Sequence, residues 1–287
     1  MKIKMSPGEK MFQVINYVVL TLLSFVCLYP LWHVAMASVS GPNELFALDG
    51  LLFLPKGFTT DAYRRVFGNS NILIGYKNTI LLLVVGVSLQ MLMTMLGAYF
   101  FSKKDIMFRR PLMLMVMFTM FFSGGMVPSY LNLMDLNLLD SVFGVICHGL
   151  ISTYNMIILR TAFESIPDSL SEAAKIDGAG HMTILFKIIL PLSKATIAVL
   201  VLYYGVSMWN SWFWPALILR DRDQWPLAVF LREILITNQM QAMDTGLPAA
   251  ENIKYALIMV ATVPILCAYP FLQKYFAQGV MIGAVKE

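Results

Sequence analysis

Most of the residues whose types and spacing favour a specific chemistry lie in one polar segment between two apolar stretches. Glu172 is followed directly by Ala173 and Ala174, and then by Asp177 and Gly178. A carboxylate can form an ion pair with a basic partner, while alanine and glycine let another backbone approach closely. These residue types are therefore suited to binding a second protein rather than to catalysis.

The same segment carries the signals of a short helix. Pro167 suits the first helical turn, and Ser169 with Glu172 has the spacing of a capping box, in which each side chain bonds the other residue's backbone amide. Gly178 and Gly180 predict the end of this helix. A purely structural capping role is the alternative to partner contact for Glu172. Adsorption to the membrane surface is a further alternative, which the near-cancelling charges disfavour.

A second group of candidate residues combines aromatic and amide side chains within the apolar stretches. Trp209, Asn210 and Trp212 lie close together in one stretch, and two others contribute Gln90, Tyr154 and Asn155. Aromatic faces with a few hydrogen-bonding groups are typical of small-molecule sites, including those for sugars. The alternatives are an aromatic belt at the membrane interface for the tryptophans and hydrogen bonds between helices for the polar residues.

The composition indicates a membrane protein. The chain has 287 residues, 58% of them hydrophobic and 13% charged, with a mean hydropathy of +0.70, whereas soluble domains have roughly 45–50% apolar and about 25% charged residues. The net charge of +4 is dispersed along the chain, so it does not indicate binding to nucleic acid. Cys27, Cys147 and Cys267 are far apart in apolar stretches and predict neither a disulfide framework nor a metal site.

Charge-free stretches predict six membrane-spanning helices, because a charge at the bilayer centre is costly. The predicted spans cover residues 12–38, 78–102, 111–128, 141–160, 192–219 and 254–276. Most of the 21 lysines and arginines lie in the loops on the side of the N-terminus, so we expect both termini in the cytoplasm. The predicted fold class is all-α: one polytopic membrane domain over residues 1–287, with six transmembrane helices and a cytoplasmic helical segment at residues 165–190.

The sequence does not predict an enzyme. A Walker A loop requires a Gly-Lys pair, and none occurs in the chain. His33, His148 and His181 are isolated from one another in the sequence. We therefore expect no catalytic site and no cofactor or metal bound by this chain. An ion-coupled secondary transporter would require carboxylates within its spans, and the six predicted spans contain none; an inert assembly protein is a further alternative.

The polar segment resembles the EAA loop of permease subunits of binding-protein-dependent ABC importers. Glu172-Ala173-Ala174, Gly178 and residues 188–191 occur at the spacing of that loop. The chain as a whole is similar to the MalG-like permeases for carbohydrates. Residues 121–128 and the tail at residues 279–286 resemble the branch that takes up oligosaccharides and polysaccharide fragments.

This resemblance implies a permease subunit of an ATP-driven importer in a bacterial cell membrane, working by alternating access. The implied partners are a second homologous permease, two ATPase subunits and an extracytoplasmic solute-binding protein, all in or at a lipid bilayer and without nucleic acid. ATP and magnesium would be bound by the ATPase subunits. The implied substrate is a carbohydrate, in the first place an oligosaccharide, with a monosaccharide or glycerol phosphate as alternatives.

The resemblance also implies a role for each group of residues. The helix at residues 168–177 would be a coupling helix that docks in a cleft of the ATPase, and the expected coupling residues are Glu172, Ala173, Ala174, Asp177, Gly178, Ala179, Leu190 and Pro191. The candidates for the translocation path are Trp209, Asn210, Trp212, Asn155, Tyr154 and Gln90. The candidates for contact with the binding protein are Asp221, Arg222, Asp223, Gln224 and Trp225, with a self-packed outer cap as the alternative. The tail beyond residue 278 is expected to reach the ATPase interface.

Overall fold

The computed structural model describes residues 6–48, 50–245 and 251–284, and these residues form helices and turns with no strand among them. The all-α expectation is therefore confirmed for this part of the chain. In chain order the helices are α1 (Pro7–Ser38), α2 (Pro42–Phe46), α3 (Asp61–Gly68), α4 (Ser70–Ser102), α5 (Arg109–Phe121), α6 (Met126–Asp135), α7 (Val142–His148), α8 (Thr153–Glu164), α9 (Asp168–Ile176), α10 (His181–Leu192), α11 (Lys194–Asn210), α12 (Phe213–Ile218), α13 (Leu227–Thr245) and α14 (Glu251–Ala284).

Two of these helices, α1 and α4, are long and apolar enough to cross a bilayer. Three further candidates are pairs of helices with a sharp bend: α5 with α6 at 114°, α7 with α8 at 62°, and α10 with α11 at 87°. The shorter apolar stretch Asn252–Cys267 lies in α14. The described residues thus contain two clear spans, or up to five if each bent pair is one span. The six-span topology with cytoplasmic termini stays a prediction.

The predicted third span, residues 111–128, is interrupted in the structure. Helix α5 ends at Phe121, and α6 begins only at Met126. Between them Gly125 has a φ of +92°, a conformation that glycine adopts without steric cost. The Gly125 amide also donates a hydrogen bond of 3.2 Å to the Ser123 hydroxyl, so local turn chemistry ends the helix inside an apolar stretch.

The predicted fourth and fifth spans are interrupted for similar reasons. Helix α8 has its own N-cap, because the Ser152 hydroxyl accepts a hydrogen bond from the Asn155 amide. Helix α11 begins at Lys194, after the buried Ser193, and ends at Asn210 rather than continuing to residue 219. A search for charge-free stretches cannot detect such breaks, since serine and glycine are uncharged.

The predicted second span differs in its start. Helix α4 begins at Ser70 instead of residue 78 and continues through Lys77. It contains one π-helical turn at Leu82–Gly86. A Cβ atom on Gly86 would lie 2.9 Å from the Met208 methyl group, so this turn places α4 in close contact with α11.

One compact unit of the chain consists of residues 1–69 and 233–263. Most large apolar side chains of α1 are exposed, as expected for a helix in contact with lipid. After α1 the chain folds back on the helix end, where the Gly41 amide donates to the Lys56 carbonyl at 2.9 Å and the Trp32 indole donates to the Phe53 carbonyl at 2.9 Å.

The other unit consists of residues 70–232 and 264–287. Its main core lies between α4, α8, α10 and α11. Ala98 of α4 and Leu159 of α8 are fully buried there, together with Ile184 and Leu185 of α10 and Leu200 of α11. The core therefore fixes the two helices of the polar segment, α9 and α10, to the apolar helices that follow and precede them.

Candidate functional site

Helix α9 carries the Glu-Ala-Ala sequence. It begins at Asp168, with Pro167 at the N-cap and no side chain that caps the helix. The predicted capping box between Ser169 and Glu172 is wrong, because Ser169 already lies within the helix. The exposed Glu172 carboxylate therefore has no capping role.

The C-terminus of α9 is closed by a Schellman motif. The Ala179 amide donates to the Ala174 carbonyl at 2.9 Å, and the Gly178 amide donates to the Lys175 carbonyl at 3.0 Å. Gly178 has a φ of +83°, which a residue with a side chain adopts only with strain. The predicted end of the helix at Gly178 is confirmed.

Helix α9 turns apolar side chains away from the core. Ser171 is buried and Ala174 half-buried, whereas Leu170 is 44% and Ile176 87% exposed. Ala173 is exposed on the same helix. Exposed leucines and isoleucines are common singly, but two of them on one short helix, together with an exposed carboxylate, form a small amphipathic surface. We call Leu170, Ala173 and Ile176 the apolar face of α9.

Two arginines and a glutamate anchor the chain just before α9. Arg109 and Arg160 both form ion pairs with Glu164, at 2.8 Å for Arg160. The two arginine Nε atoms also donate to the Phe101 carbonyl, at 2.9 Å and 3.2 Å. The three charged side chains are 21–27% exposed, so water screens these ion pairs less than those at an open surface. This group, named here the arginine clamp, joins the ends of α4 and α8 to the start of α5.

A second, exposed ion pair reaches α9 itself. The Lys104 ammonium lies 2.9 Å from the Asp168 carboxylate, and both side chains are largely exposed. The hydrogen bond and charge of Lys104 hold the pKa of Asp168 below its usual value, and Asp168 in turn raises the pKa of Lys104. Exposed pairs of this kind contribute little to stability, so this contact orients α9 rather than holding it.

The remaining coupling candidates lie at and after the glycine turn. Ala179 packs against the core, and α10 follows from His181 with a π-helical turn at Leu185–Ile189. Leu190 is half-buried and Pro191 exposed, both in the last turn of α10. Pro191 therefore ends α10 instead of opening the next span as predicted.

A polar cavity of about 320 Å³ lies between α4, α7, α8 and α11. Two of the predicted path residues line it, Gln90 at 5% and Asn155 at 6% exposure. The Gln90 Nε2 atom donates to the Gly149 carbonyl at 2.8 Å, while its buried Oε1 atom has no hydrogen-bond partner among the described residues. The other lining residues are Val145, His148, Gly149, Ile151, Ser152, Tyr203, Tyr204, Ser207, Met208, Ser211 and Trp214.

The four other path candidates lie elsewhere. Tyr154 is 54% exposed, and the Trp209 ring lies 6.3 Å from that of Tyr76. Trp212 has the Arg232 guanidinium 4.3 Å from its ring centre. Asn210 is exposed and its amide nitrogen donates to the Val206 carbonyl one turn earlier, at 2.9 Å. These four residues do not line the cavity, so the structure brings together only two of the six predicted path residues.

Sequence reasoning missed several residues of these sites. Tyr204 and Trp214 lie within or beside the aromatic cluster that the sequence singled out, but their inward direction depends on the break after Asn210. The pair Arg160–Glu164 has the (i, i+4) spacing of a helical ion pair, which was a usable signal. The participation of Arg109 had no such signal because it comes from another helix.

The predicted contact residues for a binding protein form a short 3₁₀ turn at Arg222–Gln224. Asp221 caps this turn by accepting a hydrogen bond from the Asp223 amide at 3.0 Å. The Trp225 indole donates to the Leu219 carbonyl at 3.0 Å, and the Asn78 amide group donates to the Trp225 carbonyl at 3.0 Å. Trp225 therefore packs within the chain, while Asp221, Arg222 and Asp223 are exposed.

Part of the predicted tail contact at the ATPase lies outside the described residues, because the description ends at Ala284. Helix α14 extends to that residue.

Comparison with known proteins gives this arrangement a family. Residues 6–282 match the family described as binding-protein-dependent transport system inner membrane component. The chain is 40% identical over 284 residues to the polygalacturonan/rhamnogalacturonan transport system permease protein YtcP of Bacillus subtilis (strain 168), covering 97% of this chain and 99% of that protein. It is 38% identical over 286 residues to Protein LplC of the same organism, covering 98% and 97%.

A solved structure shows the same fold. A chain of the crystal structure of a bacterial ABC transporter involved in the import of the acidic polysaccharide alginate superposes with a TM-score of 0.84 and 32% sequence identity, covering 96% of this chain and 100% of that chain. Fold and sequence together define a helical membrane component of a transport system. The chain belongs to the binding-protein-dependent transport system inner membrane component family, as its EAA-like segment indicated.

Proposed function

We propose that this chain is the permease subunit that forms half of the translocation path of an ATP-driven importer for carbohydrates. The observation that carries the proposal is α9: a short helix with an exposed apolar face, an exposed Glu172, and a glycine turn at Gly178 that fixes its end. Such a surface is suited to docking in a cleft of a partner protein, with its apolar side chains buried and its carboxylate paired.

The proposed partner at α9 is an ATPase subunit, which would bind ATP and magnesium in place of this chain. Closure of two ATPase subunits would move α9, and the packing of α9 and α10 against α4 and α8 would transmit this movement to the spans. The coupling residues proposed are those of the Glu-Ala-Ala helix and its glycine turn, together with Leu190 and Pro191 at the end of α10.

The proposed topology has six spans in one domain, with both termini and α9 in the cytoplasm of a bacterial cell. It is supported by the two long apolar helices, the three bent pairs and the apolar stretch of α14, and by the excess of lysine and arginine on the N-terminal side. A second homologous permease would supply the other half of the path. An extracytoplasmic binding protein would deliver the substrate near the turn Arg222–Gln224.

The proposed substrate is an oligosaccharide. Support comes from the relatives, whose names refer to polygalacturonan and rhamnogalacturonan, and from the likeness to an importer of alginate. The polar cavity with its aromatic and amide groups has the chemistry that a carbohydrate path requires. No described feature favours a secondary transporter.

The proposal is tested by removing the apolar face of α9. In the complete transporter, reconstituted in proteoliposomes, replacing Leu170 and Ile176 together by serine should lower uptake and the ATP hydrolysis that loaded binding protein stimulates by about tenfold or more, since apolar anchors of an interface each contribute more than about 1 kcal/mol. Membrane insertion should be unchanged, because both side chains are already exposed.

The matched control is Met107→Ser, which removes another apolar side chain that is 78% exposed but lies outside α9. It should leave uptake and hydrolysis at the level of the unmodified protein. Normal activity of the double variant, or its failure to co-purify with the ATPase only in detergent but not in membranes, would contradict the proposal.

A further inference from the structure

The cavity beside Gln90 has a property that the proposed function does not require. Its lining residues include no Asp, Glu, Lys or Arg. The cavity lies deep in the helices, since about 18 Å of α4 separates Gln90 from the helix end at Ser102 at 1.5 Å rise per residue. The site is therefore polar but carries no permanent charge.

Gln90 supplies an unsatisfied acceptor within this site. The residue is 95% buried, and its amide nitrogen is already used by the Gly149 carbonyl. Its oxygen Oε1 has no partner in the described part of the chain. A buried acceptor without a hydrogen bond is costly, so a ligand hydroxyl that donates to this oxygen would be bound favourably.

The rest of the wall suits the same ligand. The Tyr204 hydroxyl is fixed at the cavity by Thr94 at 2.7 Å and by the Ser152 amide at 3.0 Å. The His148 and Trp214 rings lie against each other with centres 3.6 Å apart. Ser207 and Asn155 add further polar groups. Hydroxyl and amide groups beside aromatic rings complement a sugar ring, whose hydroxyls bond the former and whose C–H face packs on the latter.

We infer that this cavity binds one neutral sugar ring of the transported chain and discriminates against a uronate ring. The inference rests on the proposed function. A carboxylate placed here would lose its hydration without gaining a cationic partner among the lining residues, and this is strongly unfavourable at such depth. Hydroxyl groups of a neutral ring, in contrast, find the Gln90 acceptor and the fixed Tyr204 hydroxyl.

The test uses two probes that differ only at C6, methyl galactoside and methyl galacturonide. Binding of each is measured by isothermal titration at pH 7 to the complete transporter in nanodiscs, without the binding protein. The galactoside should bind at least tenfold more tightly than the galacturonide. Equal binding, tighter binding of the galacturonide, or binding of neither probe overturns the inference.

Variants of the cavity sharpen the result. Gln90→Leu should weaken galactoside binding at least tenfold, whereas Ser88→Ala, on the same helix but outside the cavity lining, should not change it. Ser207→Ala keeps an exposed helix position intact and should weaken binding several-fold. Ser207→Lys adds a cation and should reverse the preference toward the galacturonide; an unchanged preference contradicts the inference.

The same preparation separates this inference from the proposed function. ATP hydrolysis stimulated by loaded binding protein is measured before each titration. If the unmodified transporter shows no such response, the proposed function fails. If the response is normal and the probes bind without the expected preference, the inference alone fails.

Discussion

Two short polar elements of this chain, α9 and the 3₁₀ turn Arg222–Gln224, look equally suited to docking in the sequence but differ in the structure. Helix α9 closes its own backbone through the turn at Gly178 and leaves Ile176 87% exposed. The 3₁₀ turn uses much of its hydrogen-bonding capacity within the chain, through Asp221, Trp225 and Asn78. An element that is complete by itself can present a surface, whereas one held by its neighbours is chiefly a structural cap.

The physical cause of this difference lies in where the backbone bonds go. In α9 the bonds are local, within the helix and its Schellman motif, so the side chains are left for a partner. At the outer turn the Asp140 carboxylate accepts from the amides of Arg220 and Asp221, at 2.9 Å and 3.0 Å. A long-range anchor of this kind stabilises the loop. The outer turn therefore combines both of the alternatives that the sequence left open: an exposed charged edge and a self-packed base.

The largest effect that the comparison predicts is for Gly178→Val. A β-branched residue at φ +83° is strained by about 1–2 kcal/mol or more, although the space around Gly178 is open. The end of α9 should shift, and uptake coupled to ATP hydrolysis should fall by more than tenfold while insertion in the membrane is retained.

Gly180→Val is its matched control. Gly180 has an extended conformation and no atom within 4 Å of an added Cβ. Transport assays of both variants decide the matter, and equal loss in the two would show that size rather than backbone conformation limits this turn.

The next largest effect is expected at the arginine clamp. Glu164→Gln leaves Arg109 and Arg160 next to each other without a counter-charge, which should destabilise the protein by about 1–3 kcal/mol. Thermal unfolding in detergent measures this. Glu172→Gln, which changes an exposed carboxylate on α9, is the control and should leave the unfolding temperature unchanged; an equal shift in both would mean that the clamp is not a structural anchor.

A smaller and pH-dependent effect is expected at the outer anchor. Hydrogen bonds from the amides of Asp221 and Arg220 lower the pKa of Asp140, so its stabilising effect is present above about pH 4 and is lost as the pH falls through the folded-state pKa. Asp140→Asn, which tolerates the positive φ of this residue, should lower the unfolding temperature at pH 7. The difference from the unmodified protein should shrink as the pH is lowered below about 4; a constant difference would show that charge is not involved.

The smallest effect is expected for Lys104→Gln, which breaks the exposed ion pair with Asp168. Transport should decrease slightly at low salt and be indistinguishable from the unmodified protein at high salt, because salt screens exposed charges. Uptake measured across a salt series checks this. A large loss that salt does not change would show that Lys104 holds α9 rather than orienting it.

The sequence predicted the helical class, the helix at Glu172 and its end at Gly178, because these depend on local patterns of composition and turn residues. It did not predict where the spans are interrupted. Gly125, Ser152 and Ser193 end or start helices inside apolar stretches, and hydropathy does not distinguish a capping serine from one that faces another helix.

The sites followed the same division. Gln90 and Asn155 were predicted from their polarity within apolar helices, and the structure places both at one cavity. Trp212 and Tyr154 were predicted on the same grounds, yet lie elsewhere, because the direction of a side chain depends on helix breaks and packing. The arginine clamp was not predicted, since it joins residues from separate helices through tertiary contacts.

The 87° bend between α10 and α11 has a mechanical consequence. Two rigid rods joined at nearly a right angle act as a crank, so that a displacement of one along its own length becomes a sideways swing of the other. The joint at Ser193 is short and buried, which leaves little slack for the stroke to be absorbed. A few ångströms of travel at the cytoplasmic rod would thus be delivered almost undiminished to the base of the membrane rod.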